Sequence, residues 1–444
     1  MDLMDAVTNL AKRRGFVLPG SDIYGGLANS WDYGPLGAEL KKNIKDEWWN
    51  RFVRFRTDMV GIDPAIIMNP KVWEASGHVK QFADPLVECA KCHERFRADQ
   101  AEGACPSCGG ELGTARQFNL LFKTFIGPAE DAATVAYLRG ELAQAMFVDF
   151  PAVVQTMRRK LPLGIACQGK AFRNEITPGN FIFRTREFDL MEFEYFVKES
   201  EWEKHFDLWL AEMKAWLAHC GVSEKHFHMK EIEGEELAHY SKRTIDIDYD
   251  YPFGRKELYG LAYRTDFDLK NHMEASGQDM RYAETETGEK FLPHVIEPTF
   301  GLDRTVLVAL LEAYREESAP TARSKDSGQA EEGEADARVV MRFPKWMAPY
   351  KVAVLPLSKK EELAKIAVPL HAELRKTMMA DYDETQSIGR RYRRQDEIGT
   401  PYCVTVDFET PADGAVTVRD RDTMAQERVK IADLSAWLAE HLKE

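Results

Sequence analysis

Ala171-Phe172-Arg173-Asn174-Glu175 begins a predicted β-hairpin whose second strand starts near Arg184. Side chains alternate between the two faces of a strand, so Arg173 and Glu175 are expected to share a face. On the second strand one face is expected to carry Arg184, Arg186, Phe188, Leu190, Glu192 and Glu194. This order of arginines, aromatic ring and carboxylates suits a ligand with phosphates, an aromatic base and an ammonium group. A half-buried hairpin with solvated charges is the alternative.

The second informative stretch is Glu297-Pro298-Thr299-Phe300-Gly301-Leu302-Asp303-Arg304, which opens an apolar helix. Arg304 is expected in the first turn, where free N–H groups and the helix dipole attract anions and disfavour an unpaired cation. An arginine at this position therefore indicates an anionic partner. A bound phosphate and the neighbouring Asp303 carboxylate are the two alternatives.

Four of the seven cysteines form two CxxC pairs, Cys89-Ala90-Lys91-Cys92 and Cys105-Pro106-Ser107-Cys108. Two such pairs, separated by a short loop, suit one tetrahedral Zn²⁺. The four ligands Cys89, Cys92, Cys105 and Cys108 would complete its coordination, so the predicted zinc is structural. A remnant of a zinc loop, free thiols and a redox pair are the alternatives, and His93 is expected to be a surface histidine rather than a further ligand.

Length and composition predict a globular protein of two or three domains. The chain has 444 residues, of which 44% are apolar. Its apolar runs are shorter than the roughly 18 residues of a membrane span. The start, Met1-Asp2-Leu3-Met4-Asp5, lacks the apolar core of a secretory signal, and the clustered cysteines suit a reducing compartment. We therefore expect a cytoplasmic protein that does not bind a membrane.

The formal net charge of −14 argues mildly against nucleic-acid binding, but one basic run departs from this balance. The run Gly389-Arg390-Arg391-Tyr392-Arg393-Arg394 places four arginines around a tyrosine. These arginines could form a patch that contacts phosphates. A solvated protein surface is the alternative interpretation.

The stretch 316–338 is rich in Glu, Ser, Ala, Gly and Asp without periodicity, and it predicts a linker. Beyond it, alternating strands and helices predict a small α/β domain. Its predicted strands are 350–356, 402–406 and 415–418, and its predicted helices are 359–379 and 433–442. Near the N-terminus, apolar residues spaced by three and four predict a helix over 37–55, followed by a strand over 62–70.

Together these features resemble the homodimeric class II glycyl-tRNA synthetases over nearly the whole chain. The hairpin resembles motif 2 of class II synthetases, the Arg304 helix resembles motif 3, and the N-terminal helix and strand weakly resemble motif 1, the dimer interface. Further stretches carry the resemblance beyond these motifs: Trp31–Gly37, Glu74–Val79, Phe172–Asn180, Glu236–Ser241, Arg264–Leu269 and Val295–Pro298.

The resemblance implies an α+β fold, in which a class II synthetase catalytic domain with an antiparallel sheet flanked by helices precedes a small α/β anticodon-binding domain. It implies activation of glycine by ATP to glycyl-adenylate and transfer to the 3′ end of tRNA(Gly). ATP, Mg²⁺ and structural Zn²⁺ are the implied cofactors, and a homodimer is the implied assembly. The expected boundaries are 1–88 and 113–315 for the catalytic domain, 89–112 for a zinc-binding insertion, about 199–240 for an inserted helical region, 316–345 for an acidic linker and 346–444 for the anticodon-binding domain.

The resemblance also implies roles for individual residues. Arg173 would hold the α-phosphate of ATP, and Phe188 and Arg304 would stack on opposite faces of adenine. The implied catalytic residues are Arg173 and Arg304, and the implied ATP-binding residues are Arg173, Glu175, Arg184, Arg186, Phe188, Glu257, Glu297 and Arg304. Glu257 and Glu297 are also the implied contacts of Mg²⁺. Glycine is implied to bind Glu141, Glu192, Glu297 and Thr299, and the tRNA is expected to contact Arg390, Arg391, Arg393 and Arg394.

Two stretches depart from the family pattern. The family commonly has serine at the position of Thr299, so this chain adds a methyl group to the expected glycine pocket. The family stretch Arg-Pro-Glu-Thr-Ala-Gln-Gly appears here as Arg139-Gly140-Glu141-Leu142-Ala143-Gln144-Ala145. Leu142 removes a hydroxyl group, and Ala145 adds bulk where glycine would allow close approach of the backbone. Turnover is the property that these changes are expected to affect.

Two alternative functions remain open at this point. One is a catalytically impaired class II-like protein that binds nucleic acid, and the other is a synthetase for another amino acid, such as proline, threonine, serine or histidine. A binding protein would be expected to lose the charges that contact ATP, whereas Arg173, Glu175 and Arg304 are present. Glu192 and the stretch Val295–Pro298 favour glycine over the other amino acids.

Overall fold

The computed structural model describes residues 2–101, 103–234, 237–318 and 337–443. Glu236 and residues 319–336 of the expected linker lie outside the described residues. Within those ranges the α-helices are α1 (Leu3–Arg14), α2 (Pro35–Trp49), α3 (Pro70–Ala75), α4 (His78–Gln81), α5 (Ala143–Met157), α6 (Trp202–His219), α7 (Phe267–Ser276), α8 (Leu302–Ala313), α9 (Glu361–Leu374), α10 (Ile388–Ile398), α11 (Thr410–Asp413) and α12 (Ile431–His441). The strands are β1 (Val17–Pro19), β2 (Trp31–Tyr33), β3 (Met59–Gly61), β4 (Ala83–Glu88), β5 (Arg95–Arg97), β6 (Arg116–Asn119), β7 (Lys123–Phe125), β8 (Val135–Tyr137), β9 (Leu163–Phe172), β10 (Glu187–Val197), β11 (Phe227–Ile232), β12 (Arg243–Tyr251), β13 (Gly254–Thr265), β14 (Tyr282–Ala283), β15 (Lys290–Phe291), β16 (His294–Gly301), β17 (Tyr314–Ser318), β18 (Ala337–Met341), β19 (Val352–Pro356), β20 (Ala380–Tyr382), β21 (Tyr402–Val406), β22 (Ala415–Asp420) and β23 (Gln426–Lys430).

A seven-stranded sheet in the order β11-β12-β13-β16-β10-β9-β3 forms the centre of the first domain. Neighbouring strands are antiparallel except β3 and β9, which are parallel. Residues of α2, α6 and α8 pack against one face of this sheet, and residues of α5 pack against the other. This largely antiparallel sheet flanked by helices confirms the α+β fold expected for the catalytic domain.

The two faces of the sheet differ because side chains alternate along each strand. Phe193 and Phe300 point to one face, where they form a dense aromatic core with Trp48, Phe52 and Trp209. The opposite face carries carboxylate side chains from β10 and β16. The aromatic core therefore fixes the sheet, while the other face is available for polar chemistry.

β9 and β10 form the predicted hairpin, in which Cys167 stands opposite Glu192. The strands end earlier than the sequence predicts, and the strand assignment is wrong for four residues in their connection: Arg173, Glu175, Arg184 and Arg186. The Arg173 N–H still bonds to the Arg186 carbonyl, but the Glu175 N–H turns back to the Arg173 carbonyl at 2.7 Å. This local turn ends the hydrogen-bond ladder between the two strands. The arginine side chains therefore do not follow the alternation of the sheet.

Helix α2 and a π-helical turn at Asn50–Arg54 confirm the predicted N-terminal helix. Its apolar stripe is buried as far as Phe52, whereas Phe55 at the end is exposed. The predicted strand over 62–70 is wrong, because β3 already ends at Gly61. The Ile62 N–H makes a last bond to the Ala166 carbonyl at 2.9 Å, and Pro64, which lacks an N–H donor, cannot extend the ladder.

The structure also differs from two of the expected segments. The inserted helical region expected at 199–240 contains α6, but β11 in the same range is an edge strand of the central sheet. The described ends of the expected linker pair with each other as β17 and β18. Met341, the last residue of this pairing, and Phe343, which follows it, are buried in the core of the first domain. The chain on both sides of residues 319–336 is therefore anchored to that domain.

The C-terminal sheet has the strand order β20-β19-β21-β22-β23. β19 runs parallel to β20 and β21, and the remaining pairs are antiparallel. Helices α9 and α12 pack on it through Leu363, Leu370, Leu434 and Leu438. This arrangement confirms the small α/β domain predicted from the sequence. Among the described helices, not one combines the length and apolarity needed to cross a membrane.

The basic run forms α10, a helix that the sequence patterns did not predict. Asp396 on this helix accepts hydrogen bonds from Arg338 at 2.8 Å and from Arg419 at 2.9 and 3.2 Å. All three side chains are buried. Because Arg338 belongs to β18 and Arg419 to β22, this carboxylate joins three elements of the C-terminal half.

We predict that Asp396→Ala lowers the free energy of unfolding by about 3–5 kcal/mol, because it removes a buried carboxylate shared by two buried guanidinium groups, of which Arg338 keeps only Glu317 as a carboxylate partner. Chemical denaturation measures this loss. Glu440→Ala, at an exposed position of α12, is the control and should change the free energy by less than about 0.5 kcal/mol. A loss as small as the ~1 kcal/mol typical of surface ion pairs would contradict the structural role of Asp396.

Candidate active site

Two adjoining cavities open on the polar face of the central sheet. The first, called here the arginine cavity, has a volume of about 100 Å³ and is lined by residues that include Arg173, Glu175, Arg184, Phe188, Glu257 and Arg304. The second, the carboxylate cavity, has a volume of about 330 Å³ and is lined by residues that include Glu141, Glu192, Tyr240, Ala262, Glu297 and Thr299. Arg173, Glu257 and Thr299 line both cavities, so the two form one continuous site.

Arg173 lies between two aromatic rings at the border of the cavities. Its guanidinium carbon is 5.1 Å from the centre of the Phe82 ring and 5.4 Å from the centre of the Phe188 ring. Its Nε donates to the Gly140 carbonyl at 3.2 Å. Cation–π contacts and this hydrogen bond hold the charge at a place that both cavities share.

Arg304 lies in the first turn of α8, as predicted. Its guanidinium packs 4.5 Å from the Phe183 ring centre, donates to the Glu257 carbonyl at 2.8 Å and lies 3.3 Å from the Glu257 carboxylate. The neighbouring Asp303 instead accepts the backbone N–H of Asp189 at 2.6 Å. The protein anion beside Arg304 is therefore Glu257, not the Asp303 carboxylate considered from the sequence.

The remaining residues expected to contact ATP separate into two groups. Glu175, Arg184 and Phe188 line the arginine cavity together with Arg173 and Arg304. Arg186 instead borders an adjacent cleft and donates to the carbonyls of Glu175 and Ala28. These bonds hold the Arg186 guanidinium away from the cavity in which the other residues meet.

The carboxylate cavity brings together Glu141, Glu192, Glu297 and Thr299. Thr299 on β16 stands directly opposite Glu192 on β10. The backbone N–H of Leu142 donates to the Glu192 carboxylate at 2.7 Å. The side chains of Leu142 and Ala145, two departures from the family pattern, are buried in the protein. Leu142 therefore contributes to the cavity through its backbone N–H, and this contribution does not depend on the side chain at this position.

Arg264 is a residue of the site that the sequence patterns did not identify. Its fully buried guanidinium donates to both oxygens of Glu297 at 2.9 and 3.0 Å and to both oxygens of Asp268 at 2.8 and 3.0 Å. The Tyr240 ring lies 3.8 Å from the guanidinium carbon. Arg264 lies at the end of β13 and Asp268 in the first turn of α7, so the helical i, i+4 rule does not apply to this pair and the sequence offers no signal for it.

The carboxyl groups of the cavity differ in their tendency to ionise. Burial opposes ionisation of Glu141, but interactions with His78 and Arg264 hold its pKa well below the usual range. Burial, together with the nearby Glu297 and Glu141 carboxyls, raises the pKa of Glu192 to about 8. Burial also raises the pKa of Glu297, and Arg264 partly offsets this effect. A bound cation would favour ionisation of the last two groups, so the cavity suits an ammonium group.

Comparison with known proteins agrees with this geometry. Residues 143–314 match the family described as tRNA synthetase class II core domain (G, H, P, S and T), and residues 351–441 match the family described as Anticodon binding domain. The chain is 51% identical to the glycine–tRNA ligase of Geobacillus thermodenitrificans (strain NG80-2), with 98% of this chain and 97% of that protein aligned. It is 49% identical to the glycine–tRNA ligase of Thermobifida fusca (strain YX), with 99% and 98% aligned. The chain belongs to the glycine–tRNA ligase family.

Membership of the glycine–tRNA ligase family confirms the expected combination of a class II synthetase core and an anticodon-binding domain. It counts against both alternatives that the sequence left open. A non-catalytic binding protein would not need the joined cavities, and a synthetase for another amino acid would not share this degree of identity with glycine–tRNA ligases.

The four clustered cysteines of this glycine–tRNA ligase family member lie close together. Their sulfurs are within 4.8 Å of one another, with 3.5 Å between Cys89 and Cys108 and 3.6 Å between Cys92 and Cys105. Four sulfurs at about 2.3 Å from a tetrahedral Zn²⁺ are about 3.8 Å apart, so this set fits zinc. His93 is exposed, with 77% of its side-chain surface accessible, as expected for a surface histidine.

The thiol of Cys89 ionises more easily than that of an ordinary cysteine. The backbone N–H of Cys92 and that of Lys91 approach it at 3.5 and 3.4 Å, and with the neighbouring thiols they lower the pKa of Cys89 to about 6. A thiolate is the form of cysteine that binds metal. Burial and hydrogen bonds with the neighbouring thiols raise the pKa of Cys92 and Cys108, so Cys89 is the first of these three to ionise, and a bound cation would favour ionisation of the others.

The basic run of α10 does not present all four arginines to solvent. Arg391 is buried and donates to the carbonyls of Pro356, Leu357 and Asp383. It is therefore a structural residue of the domain, which corrects the expectation that it contacts tRNA. Arg394 donates to the Asp383 carboxylate at 2.9 Å, Arg393 is partly buried, and Arg390 is exposed.

We predict about one zinc per chain when the protein is purified without chelator, because four sulfurs in this arrangement complete a tetrahedral site. Elemental analysis measures the metal content. Cys92→Ser should reduce it strongly and lower the Tm, whereas Cys403→Ala, at a buried cysteine outside the cluster, is the control and should retain the metal. Zinc-free protein from such a preparation would contradict the assignment.

Proposed function

We propose that this protein activates glycine with ATP to form glycyl-adenylate and transfers the glycyl group to the 3′ end of tRNA(Gly). The observation that carries this proposal is the junction of the two cavities at Arg173. One cavity offers carboxylates to an ammonium group, and the other offers cations and an aromatic ring to a nucleotide. An amino acid and ATP bound in this way would bring the attacking carboxylate next to the α-phosphate.

In the first reaction the glycine carboxylate attacks the α-phosphorus of ATP, and pyrophosphate leaves. The attacking group is already ionised, so the reaction depends on positioning and charge stabilisation rather than on a strong base. Arg173 is proposed to neutralise the charge that develops on the α-phosphate. Phe188 and Arg304 are proposed to hold adenine between them, with Glu175 at its edge and Arg184 toward the outer phosphates.

Mg²⁺ is proposed to bind with ATP at Glu257, whose half-exposed carboxylate lines the arginine cavity. A carboxylate oxygen is the hard ligand that this ion prefers. Glu297 fits the role less well, because Arg264 donates to both of its oxygens. When bound, Mg²⁺ supplies positive charge that stabilises the leaving pyrophosphate.

In the second reaction a ribose hydroxyl at the 3′ end of tRNA attacks the glycyl carbonyl carbon, and AMP leaves. The ammonium group of glycine is proposed to stay between Glu141, Glu192 and Glu297 throughout both reactions. This arrangement keeps the carbonyl carbon beside Arg173 while the nucleotide is exchanged for tRNA. The C-terminal domain is proposed to bind the anticodon arm, with the exposed Arg390 among its contacts.

The proposal includes a homodimer that works in the cytoplasm and carries one structural Zn²⁺ per chain. Support for the dimer comes from the segment before α2, where Ile23, Tyr24 and Leu27 are 89%, 88% and 67% exposed. Large apolar side chains exposed together are typical of surfaces that associate with another protein. The clustered, unpaired cysteines agree with a reducing compartment.

ATP–pyrophosphate exchange tests this function with glycine, alanine, serine, proline and threonine as substrates. We predict exchange with glycine and at most about a fifth of that rate with alanine, since an extra methyl group in a packed pocket costs about 1–3 kcal/mol, or roughly 5- to 160-fold in rate. Arg173→Ala should lower the rate by about 10²–10³-fold, because it removes a group that stabilises developing charge. Arg281→Ala, at an exposed arginine paired with Asp279, is the control and should retain the activity.

The outcomes of this experiment separate the parts of the proposal. Exchange with another amino acid and not with glycine would keep the reaction but overturn the assignment of the carboxylate cavity. Normal exchange by Arg173→Ala would overturn the role of that arginine. The absence of exchange with every amino acid would overturn the proposed function itself.

We predict that the KM for glycine falls as the pH rises from about 6.5 to about 8.5 and then levels off. Burial and neighbouring carboxyls raise the pKa of Glu192 to about 8 in the free site, so the carboxylate form that binds ammonium becomes available only as the pH approaches this value. Glu192→Gln cannot ionise, so it should raise the KM by about 10- to 100-fold and remove the pH dependence. Exchange rates at varied glycine and saturating ATP measure this, and a flat profile for the wild type would contradict it.

A further inference from the structure

A short wall, formed by α3, α4 and the turn between them, contacts Glu141 from outside the carboxylate cavity. Gly77 joins the two helices with a φ of 85°, in the left-handed region, and the turn directs both neighbouring side chains into the protein. Ser76 and His78 are 1% and 2% exposed. The His78 ring is fixed between Trp73, at 5.3 Å between ring centres, and Phe82, at 5.2 Å.

The buried His78 ring is linked to Glu141. Its Nε2 lies 3.2 Å from Glu141 Oε2, and its Nδ1 lies 2.8 Å from Ser76 Oγ. An ionised carboxylate only accepts hydrogen bonds, so Nε2 carries the hydrogen and donates it whether the ring is neutral or charged. The other Glu141 oxygen accepts from the Gln144 amide at 2.9 Å. Both oxygens therefore have donors, and the orientation of the carboxylate is set before a ligand binds.

We propose that His78, held by Ser76, is a positioning residue for glycine because it orients the Glu141 carboxylate toward the ammonium group. This inference rests on the proposed function and extends it to a residue that does not itself contact the substrate. The same segment reaches the other half of the site, since Phe82 stacks on Arg173 at 5.1 Å. One short wall thus holds both a carboxylate for the ammonium group and the cation for the α-phosphate.

A purely structural role of His78 is the alternative. The Asn119 amide donates to the His78 carbonyl at 2.9 Å, and Trp73 and Phe82 enclose the ring, so the histidine could serve only to hold the wall. The two roles differ in the consequence of losing the N–H group alone. A positioning residue then affects the binding of glycine, whereas a structural residue affects stability and every substrate equally.

The test compares His78→Phe, which keeps a ring without an N–H donor, with His78→Gln, which keeps a donor. ATP–pyrophosphate exchange gives separate KM values for glycine and for ATP. We expect His78→Phe to raise the KM for glycine about 10- to 100-fold, the loss typical of a hydrogen bond to a charged group, with less than about a twofold change for ATP. His78→Gln should recover most of the lost affinity, because an amide N–H can replace the ring N–H.

His205→Phe is the matched control, since His205 is buried on α6 and packs on Tyr195 at the opposite face of the sheet. It should leave both KM values unchanged. A glycine KM for His78→Phe within about twofold of the wild-type value overturns the inference, and so does an equal rise of both KM values with a lowered Tm. If the wild type shows no glycine-dependent exchange, the proposed function fails together with the inference. Normal wild-type exchange with an unaffected His78→Phe defeats the inference alone.

Discussion

The site depends on the buried guanidinium of Arg264, which lies between the carboxylates of Asp268 and Glu297. A row of acids on the face of a sheet is costly to bury unless cations or hydrogen-bond donors compensate it. Arg264 provides this compensation at the end of β13, where it reaches both α7 and β16. Without it, the buried carboxyls of Glu297 and Asp268 would lose the cation that compensates their burial.

The other buried acids of the cluster differ in their tendency to ionise, and together they suit a positively charged ligand. Glu141 has His78 and Gln144 as donors, so it is ionised in the free site. Glu194 is fully buried, and within the described part of the chain its two oxygens have no hydrogen-bond partner. Burial raises the pKa of Glu194 well above its usual range, so it stays neutral. The tendency of Glu192 to ionise lies between those of Glu141 and Glu194, and a bound ammonium group would favour its ionised form. The aromatic core on the opposite face supplies the stability that permits such an incompletely satisfied cluster.

Short-range patterns predicted a large part of the fold and of the site. The period of two placed Glu192 on the polar face of β10, and the resemblance grouped it with Glu141, Glu297 and Thr299, which line one cavity. The ends of β9 and β10 could not be predicted, because a local turn after Arg173 decides them. The hydrogen bond from Gln144 to Asp268 also could not be predicted from short-range patterns, because these residues are 124 positions apart in the sequence. Arg391 shows the same limit. A run of charged residues predicts an exposed surface, whereas this arginine is buried because backbone carbonyls from distant parts of the sequence accept its hydrogen bonds.

The charge of the carboxylate cavity cannot by itself select glycine, because every amino acid carries the same ammonium group. Carboxylates and their donors therefore set the affinity, while selectivity must come from the space left at the α-carbon. Thr299 and Ala262 line the carboxylate cavity, on strands whose positions are fixed by the aromatic core beneath them, and they are proposed to border the α-carbon. The extra methyl group that Thr299 has relative to serine narrows the cavity without changing its charge. We therefore expect this departure from the family pattern to act on the exclusion of larger amino acids, whereas Arg264 and His78 are proposed to act on how tightly the ammonium group is held.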